Sequence, residues 1–290
     1  MVETLQSQSI RALLPRIIIR ALVLTGGMSV VYFLLNATLV GSTWAGMTVS
    51  KSALTAEYCE FDNTSAFFRQ SMNTYSNLVY FFLGVLIWQQ AQHDAKNRGL
   101  GLQNWLAQFP GLSYLVGGCF VYLSFGSAFF HASLTWPGQR VDMNGTYGLT
   151  VSLLFVALYS VFHGVTLSDR AKKLVVAGAV GLILALLEIA LHVSSGLLLP
   201  ALILSIWVLL IINYIQFRKE RSATLGLLSF VFIIAAFYVR TLDVQKVNCD
   251  PYSWYQGHSV WHVLAGLSSL CTYAFFRFGR LTPAKKATPL

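Results

Sequence analysis

Gly126-Ser127-Ala128-Phe129-Phe130-His131-Ala132-Ser133-Leu134 closes an apolar run that begins near residue 111, and Asp142 opens the next in Gly138-Gln139-Arg140-Val141-Asp142-Met143-Asn144. A run of this length forms a helix that crosses roughly 30 Å of hydrocarbon. Two membrane-crossing helices joined by a short turn are therefore the expected local structure. Outward from this pair the pattern repeats, with apolar runs at roughly 17–41, 73–92, 111–133, 144–164, 174–193, 197–216, 225–241 and 257–277. The chain is 56% hydrophobic and 11% charged, with mean hydropathy +0.61, against about 25% charged residues in soluble domains. The expected fold is an all-α integral membrane protein, a seven-transmembrane-helix bundle preceded by one extra N-terminal helix.

Arg20 interrupts the first run, and Arg11, Arg16 and Arg20 ahead of Ala21–Val40 also fit the charged and apolar regions of a signal peptide. With no clear small-residue cleavage site, a retained helix is the expectation. Three units follow: 1–56 as an N-terminal extension, 57–278 as the seven-helix domain, and 279–290 as a frayed cytoplasmic tail.

The net charge of +9 sits in the gaps between apolar runs, without a basic helix or aromatic-basic platform, which argues against nucleic acid. Topology accounts for it, because Lys and Arg concentrate on the cytoplasmic side of short loops. Arg11 and Arg16, Lys96 and Arg98, Arg170, Lys172 and Lys173, Arg218, Lys219 and Arg221, and Arg280, Lys285 and Lys286 mark that side, so both termini are expected there. The alternate gaps, including 42–72 and 242–256, carry Glu57, Glu60, Asp62, Asp243 and Asp250 and face the exterior or a lumen. That side is oxidising in most cells. Cys59 and Cys249 both fall there, free to bridge or to stay as two thiols, whereas Cys119 and Cys271 lie in apolar runs as inert thiols.

Polar groups inside apolar runs need a reason to be there. Ser127 and His131 are four residues apart, on one helical face. In Gly257-His258-Ser259-Val260-Trp261-His262, two imidazoles lie one turn apart, a spacing that chelates one metal ion. Counting helices brings His131, Asp142, His258 and His262 to one membrane depth. A lone intramembrane histidine is ordinarily hydrogen-bonded or cavity-lining, but three at one depth beside an aspartate favour a metal site. Three histidines with an open position are the ligand set of hydrolytic zinc, and borderline-soft zinc prefers imidazole. Asp142 would shuttle a proton, and Ser127 would donate to a developing oxyanion. The plainer alternatives are helix packing for Ser127 and helix capping for Asp142.

The GSxxFHAxL segment with its aspartate, the stretch Gly257–Leu264, and Glu57-Tyr58-Cys59-Glu60-Phe61-Asp62 followed by Asn73-Thr74-Tyr75-Ser76-Asn77 together resemble the alkaline ceramidases. The likeness spans about Glu57 to Arg277 in the same order. It implies a zinc ion on His131, His258 and His262, with Ser127 and Asp142 assisting hydrolysis of a ceramide amide to sphingoid base and fatty acid. It also implies a calcium ion on Glu57, Glu60, Asp62 and the carbonyl of Tyr58. Tyr58 stands where that family usually has Trp, and Gln70 where it has Glu. Losing a carboxylate weakens calcium binding.

The expected partners are thus the bilayer and a membrane lipid such as ceramide. Two alternatives share the scaffold: an ester-cleaving lipase, and a lipid receptor or sensor with weak hydrolase activity. A transporter ordinarily shows repeated halves and broken helices, which this sequence lacks. Glu188 and His192 share a helical face and read as a hydrogen-bonded pair, while His93 and His163 sit at helix ends.

Overall fold

The computed structural model describes residues 2–97 and 104–278, with side chains from Leu14 onward. Arg98, Arg280, Lys285, Lys286 and the tail 279–290 lie outside the described residues, as does the side chain of Arg11. The architecture rests on eight long helices: α1 Val2–Thr38, α2 Leu78–Lys96, α3 Pro110–Ser133, α4 Trp136–Val161, α5 Asp169–His192, α6 Ser195–Gln216, α7 Ala223–Val244 and α8 Gly257–Arg277. No β-strand occurs among the described residues, only two isolated bridges.

Seven of these helices are long and apolar enough to cross a membrane: α1 from Leu14, and α3 through α8. The chain is therefore a multi-pass membrane protein. α2 falls short by composition, because Gln89, Gln90, Gln92, His93 and Asp94 crowd its last turns. It also begins later than the apolar run at 73. A short helix, Ser71–Ser76, precedes it, with a break at Asn77. Polar side chains here bond back to the backbone, Thr74 Oγ1 to the Gln70 carbonyl at 2.6 Å and Asn77 Nδ2 to the Asn73 carbonyl at 2.8 Å. Such bonds compete with a continuous helical ladder.

Side-chain caps set three of the other starts. Thr135 accepts from the Gly138 amide ahead of α4, Ser168 from Ala171 ahead of α5, and Ser222 from Leu225 ahead of α7. Only Leu134 and Thr135 separate α3 from α4, and Leu134 turns the chain in a left-handed conformation, φ 51°. A leucine pays strain there, and the N-terminal loop holds it in place. The Leu134 carbonyl accepts from the Ser50 amide at 3.0 Å, and the Trp136 amide donates to the Thr48 carbonyl at 2.7 Å.

α3 and α4 form the centre, with 61% of their apolar windows buried against 11–17% for α1, α5, α6 and α7. Those outer helices turn leucines and isoleucines such as Leu184, Leu204, Ile215 and Leu227 outward to lipid. The core joins Leu83 and Ile87 of α2, Val116 and Phe120 of α3, Val156 of α4, and Phe275 and Phe276 of α8. α2 and α3 approach each other closely at Gly84 and Gly117. A Cβ on Gly84 would lie 2.8 Å from the Gly117 carbonyl oxygen and 2.8 Å from Val121 Cγ2. Gly84→Leu is expected to force the pair apart at a cost of about 1–3 kcal/mol, offset in part by about 1 kcal/mol of helix propensity. A lowered thermal midpoint in detergent is the readout.

Candidate metal centre

Three histidines are brought together at the end of the bundle where α3 hands over to α4. His131 comes from the last turn of α3, and His258 and His262 from the first two turns of α8. All three are buried, and their ligand nitrogens lie within 4.8 Å of one another. No other group of three or more His, Cys, Asp or Glu side chains gathers this closely among the described residues.

The start of α8 is fixed by Asp243 near the end of α7, which accepts from the His258 amide at 3.2 Å and the Cys59 amide at 3.4 Å. Glycine at 257 allows that approach, since a Cβ would lie 2.9 Å from Asp243 Oδ1. Cys59 is joined to Cys249 by a disulfide, and the Phe61 amide donates to the Pro251 carbonyl at 2.9 Å. The acidic loop is thereby clamped over the histidines. It lays the Tyr58 ring against His258, centroids 4.5 Å apart, and against His131 at 5.0 Å. Burial, helped by the neighbouring Glu57 carboxylate, pushes the Tyr58 hydroxyl well above its ordinary range, so it stays protonated.

Two of the three rings are oriented by their far nitrogens. His131 Nδ1 pairs with Gln70 Oε1 at 2.9 Å, and His262 Nδ1 with Ser76 Oγ at 2.7 Å. Because Gln70 Oε1 only accepts, Nδ1 of His131 carries the proton and Nε2 presents a lone pair. His131 Nε2 and His258 Nε2 stand 3.1 Å apart. Two nitrogens on one tetrahedral zinc, each about 2.0–2.1 Å from the ion, are separated by roughly 3.3 Å. The donor set of imidazole nitrogens with oriented rings therefore fits a zinc ion.

Ser127 and Asp142 face this group. Ser127 lies beside Asp142, and both line a cavity of about 240 Å³ with Tyr58, Arg240, His258 and His262. Leu199 and Pro200 of α6 and Phe237 of α7 close its sides. A narrower cleft shares Tyr80, Leu123, Thr146, Leu199 and Trp261 with that cavity and runs on between Leu149, Leu153, Ile203 and Ile206. The chamber that holds the polar groups thus leads into a mostly apolar slot, with Thr150, Ser268 and Thr272 also in its walls.

The acidic segment is arranged differently from a cation cage. Glu57 is ion-paired with Arg240 and Asp62 with Arg69. Glu60 accepts from the Met72 amide at 2.6 Å and the Asn73 amide at 2.8 Å, at the start of the short helix. Burial raises Glu60 to about 7, against the pull of those two bonds.

A family profile described as Ceramidase matches residues 50–289. The chain belongs to the ceramidase family. Membership places it among hydrolases of lipid amides, ceramide above all. α1 lies ahead of the matched region, and the histidines, Ser127 and Asp142 lie within it. A comparison with curated proteins finds no match.

Several residues of this ceramidase site went unassigned in the sequence. Gln70 registers there as a lost acid, and the structure turns it toward His131. Ser76 sits unmarked in a polar run, yet meets His262. Arg240 does carry a signal, an arginine inside an apolar run. Glu188 and His192 do not join the three histidines and are exposed, 3.7 Å apart.

Proposed function

We propose that this ceramidase-family protein is a zinc-dependent amidohydrolase that cleaves an N-acyl sphingoid lipid to sphingoid base and fatty acid. The observation that carries the reading is the meeting of three imidazoles beside Asp142 and Ser127 in a chamber that opens into an apolar slot. His131, His258 and His262 would hold the ion. Zinc bound there would polarise the scissile carbonyl and activate water near neutral pH.

The remaining roles belong to the chain. Asp142 takes a proton from the attacking water and returns it to the leaving amine. Ser127 donates to the carbonyl oxygen as negative charge builds on it. The slot between α4, α6 and α8 takes an acyl or alkyl chain and keeps bulk water from it. The bias of Lys and Arg toward the other set of loops supports an exterior or luminal location for this chamber. Calcium at Glu57, Glu60 and Asp62 would have to displace two arginines and a pair of backbone amides.

The test is a screen of N-acyl and O-acyl lipids on purified protein, with and without a zinc chelator. Fatty-acid release from N-acyl sphingoid lipids, lost with chelator and restored by zinc, is the expected result. Turnover confined to acyl esters would move the assignment to a lipase. A second expectation concerns Gln70. Gln70→Ala removes the acceptor that orients His131, so zinc affinity should fall about 10- to 100-fold, read by chelator competition. Gln70→Glu keeps an acceptor and should retain affinity.

A further inference from the structure

One charged donor at the wall of the chamber is left over. Arg240, in the last two turns of α7, gives one arm to Glu57 and holds its guanidinium carbon 5.0 Å above the Tyr58 ring. Its other arm, Nη1, is buried and meets no acceptor among the described residues. An unpaired charged donor in a site poor in water costs free energy, and a bound ligand that supplies an acceptor recovers it.

Position says which part of a ligand that is. The apolar slot runs toward the middle of the bundle, past Leu149, Leu153 and Ile206. Arg240 lies at the opposite, loop-covered side with Tyr58 and Glu57. A lipid whose amide sits at the three histidines, with a chain in the slot, therefore turns its polar head toward Arg240. Asp142 and Ser127 are engaged with the reacting amide, so the head-group oxygen is what remains for Nη1.

Resting on the amidohydrolase reading, we propose that Arg240 is the specificity-determining donor for the head group, so that the preferred substrates are N-acyl lipids carrying an oxygen acceptor on the amine half. Glu57 and the Tyr58 face hold the guanidinium in one orientation, which aims Nη1 before the substrate arrives. The guanidinium is already ion-paired with Glu57, so a neutral hydroxyl suffices as acceptor.

The experiment compares two N-acyl sphingoid lipids that differ only in the head-group hydroxyl, on purified full-length protein and on Arg240→Gln and Arg240→Lys. Lysine still pairs with Glu57 but has no second fixed arm, which covers the case in which the glutamine variant folds poorly. Wild type is expected to favour the hydroxyl-bearing lipid by about 10- to 100-fold in kcat/KM, the range of a charge-assisted hydrogen bond. Both variants should bring that ratio close to one, chiefly through KM on the hydroxyl-bearing lipid, with zinc content unchanged. A wild type indifferent to the hydroxyl, or variants that lose both substrates in parallel, overturns the assignment. A wild type that cleaves neither lipid overturns the amidohydrolase reading itself, and Arg240 falls with it.

Discussion

His258→Ala is expected to remove bound zinc and lipid hydrolysis together. Four-ligand structural zinc sites are worth about 10–16 kcal/mol, so one ligand's share is roughly 2.5–4 kcal/mol, or on the order of 10²- to 10³-fold in affinity. The loss should be felt in full here, because no other His, Cys, Asp or Glu among the described residues gathers with the three histidines to take over. Metal content by mass spectrometry and fatty-acid release are read on the same sample. His192→Ala is the control: that ring, in the last turn of α5, is 75% exposed, is not one of the three gathered histidines, and should change neither. A His258→Ala protein that keeps one zinc per chain would remove the metal centre from the mechanism. The folded fraction should persist in either case, since the helix start is held by Asp243 and the Cys59–Cys249 link rather than by the ring.

The site was legible because its signals are local and repeated. An i,i+4 histidine pair fixes one face of α8, and the parity of helices places His131 beside it without any distance information. The apolar runs likewise located α3 through α8 to within a few residues, apart from α4, whose first two turns are polar. What escaped depends on contacts between distant parts of the chain. Gln70 meets His131 across 61 residues, Ser76 meets His262 across 186, and Glu57 meets Arg240 across 183. No periodicity encodes such pairs. The first apolar run hid another feature, since Ile17, Ala21 and Tyr32 are buried and give α1 one packed stripe in an otherwise lipid-facing helix. α2 changes character along its length. Its apolar half resembles a spanning helix, but its polar half is built to hold the opposite end of the bundle together.

That opposite end carries the largest expected effect on stability. Asp94 of α2 is fully buried and accepts from Arg277 of α8 twice, Nε at 2.8 Å and Nη2 at 2.5 Å, with Gln90 Nε2 adding a third bond at 2.9 Å. The Arg277 side chain is only 9% exposed. Asp94→Ala strands a buried guanidinium, which costs about 3–5 kcal/mol, because the remaining charge is neither paired nor hydrated. Glu188→Ala, which breaks an exposed pair, should cost little by comparison. Thermal midpoints in one detergent separate the two. Replacing both partners, Asp94→Leu with Arg277→Met, should recover most of the loss, since an apolar pair leaves nothing charged to desolvate. A single Asp94→Ala variant as stable as wild type would show that water reaches Arg277 and that α2 and α8 are held by apolar packing alone. Zinc content of the folded Asp94→Ala protein should match wild type, because the pair and the histidines occupy opposite ends of α8.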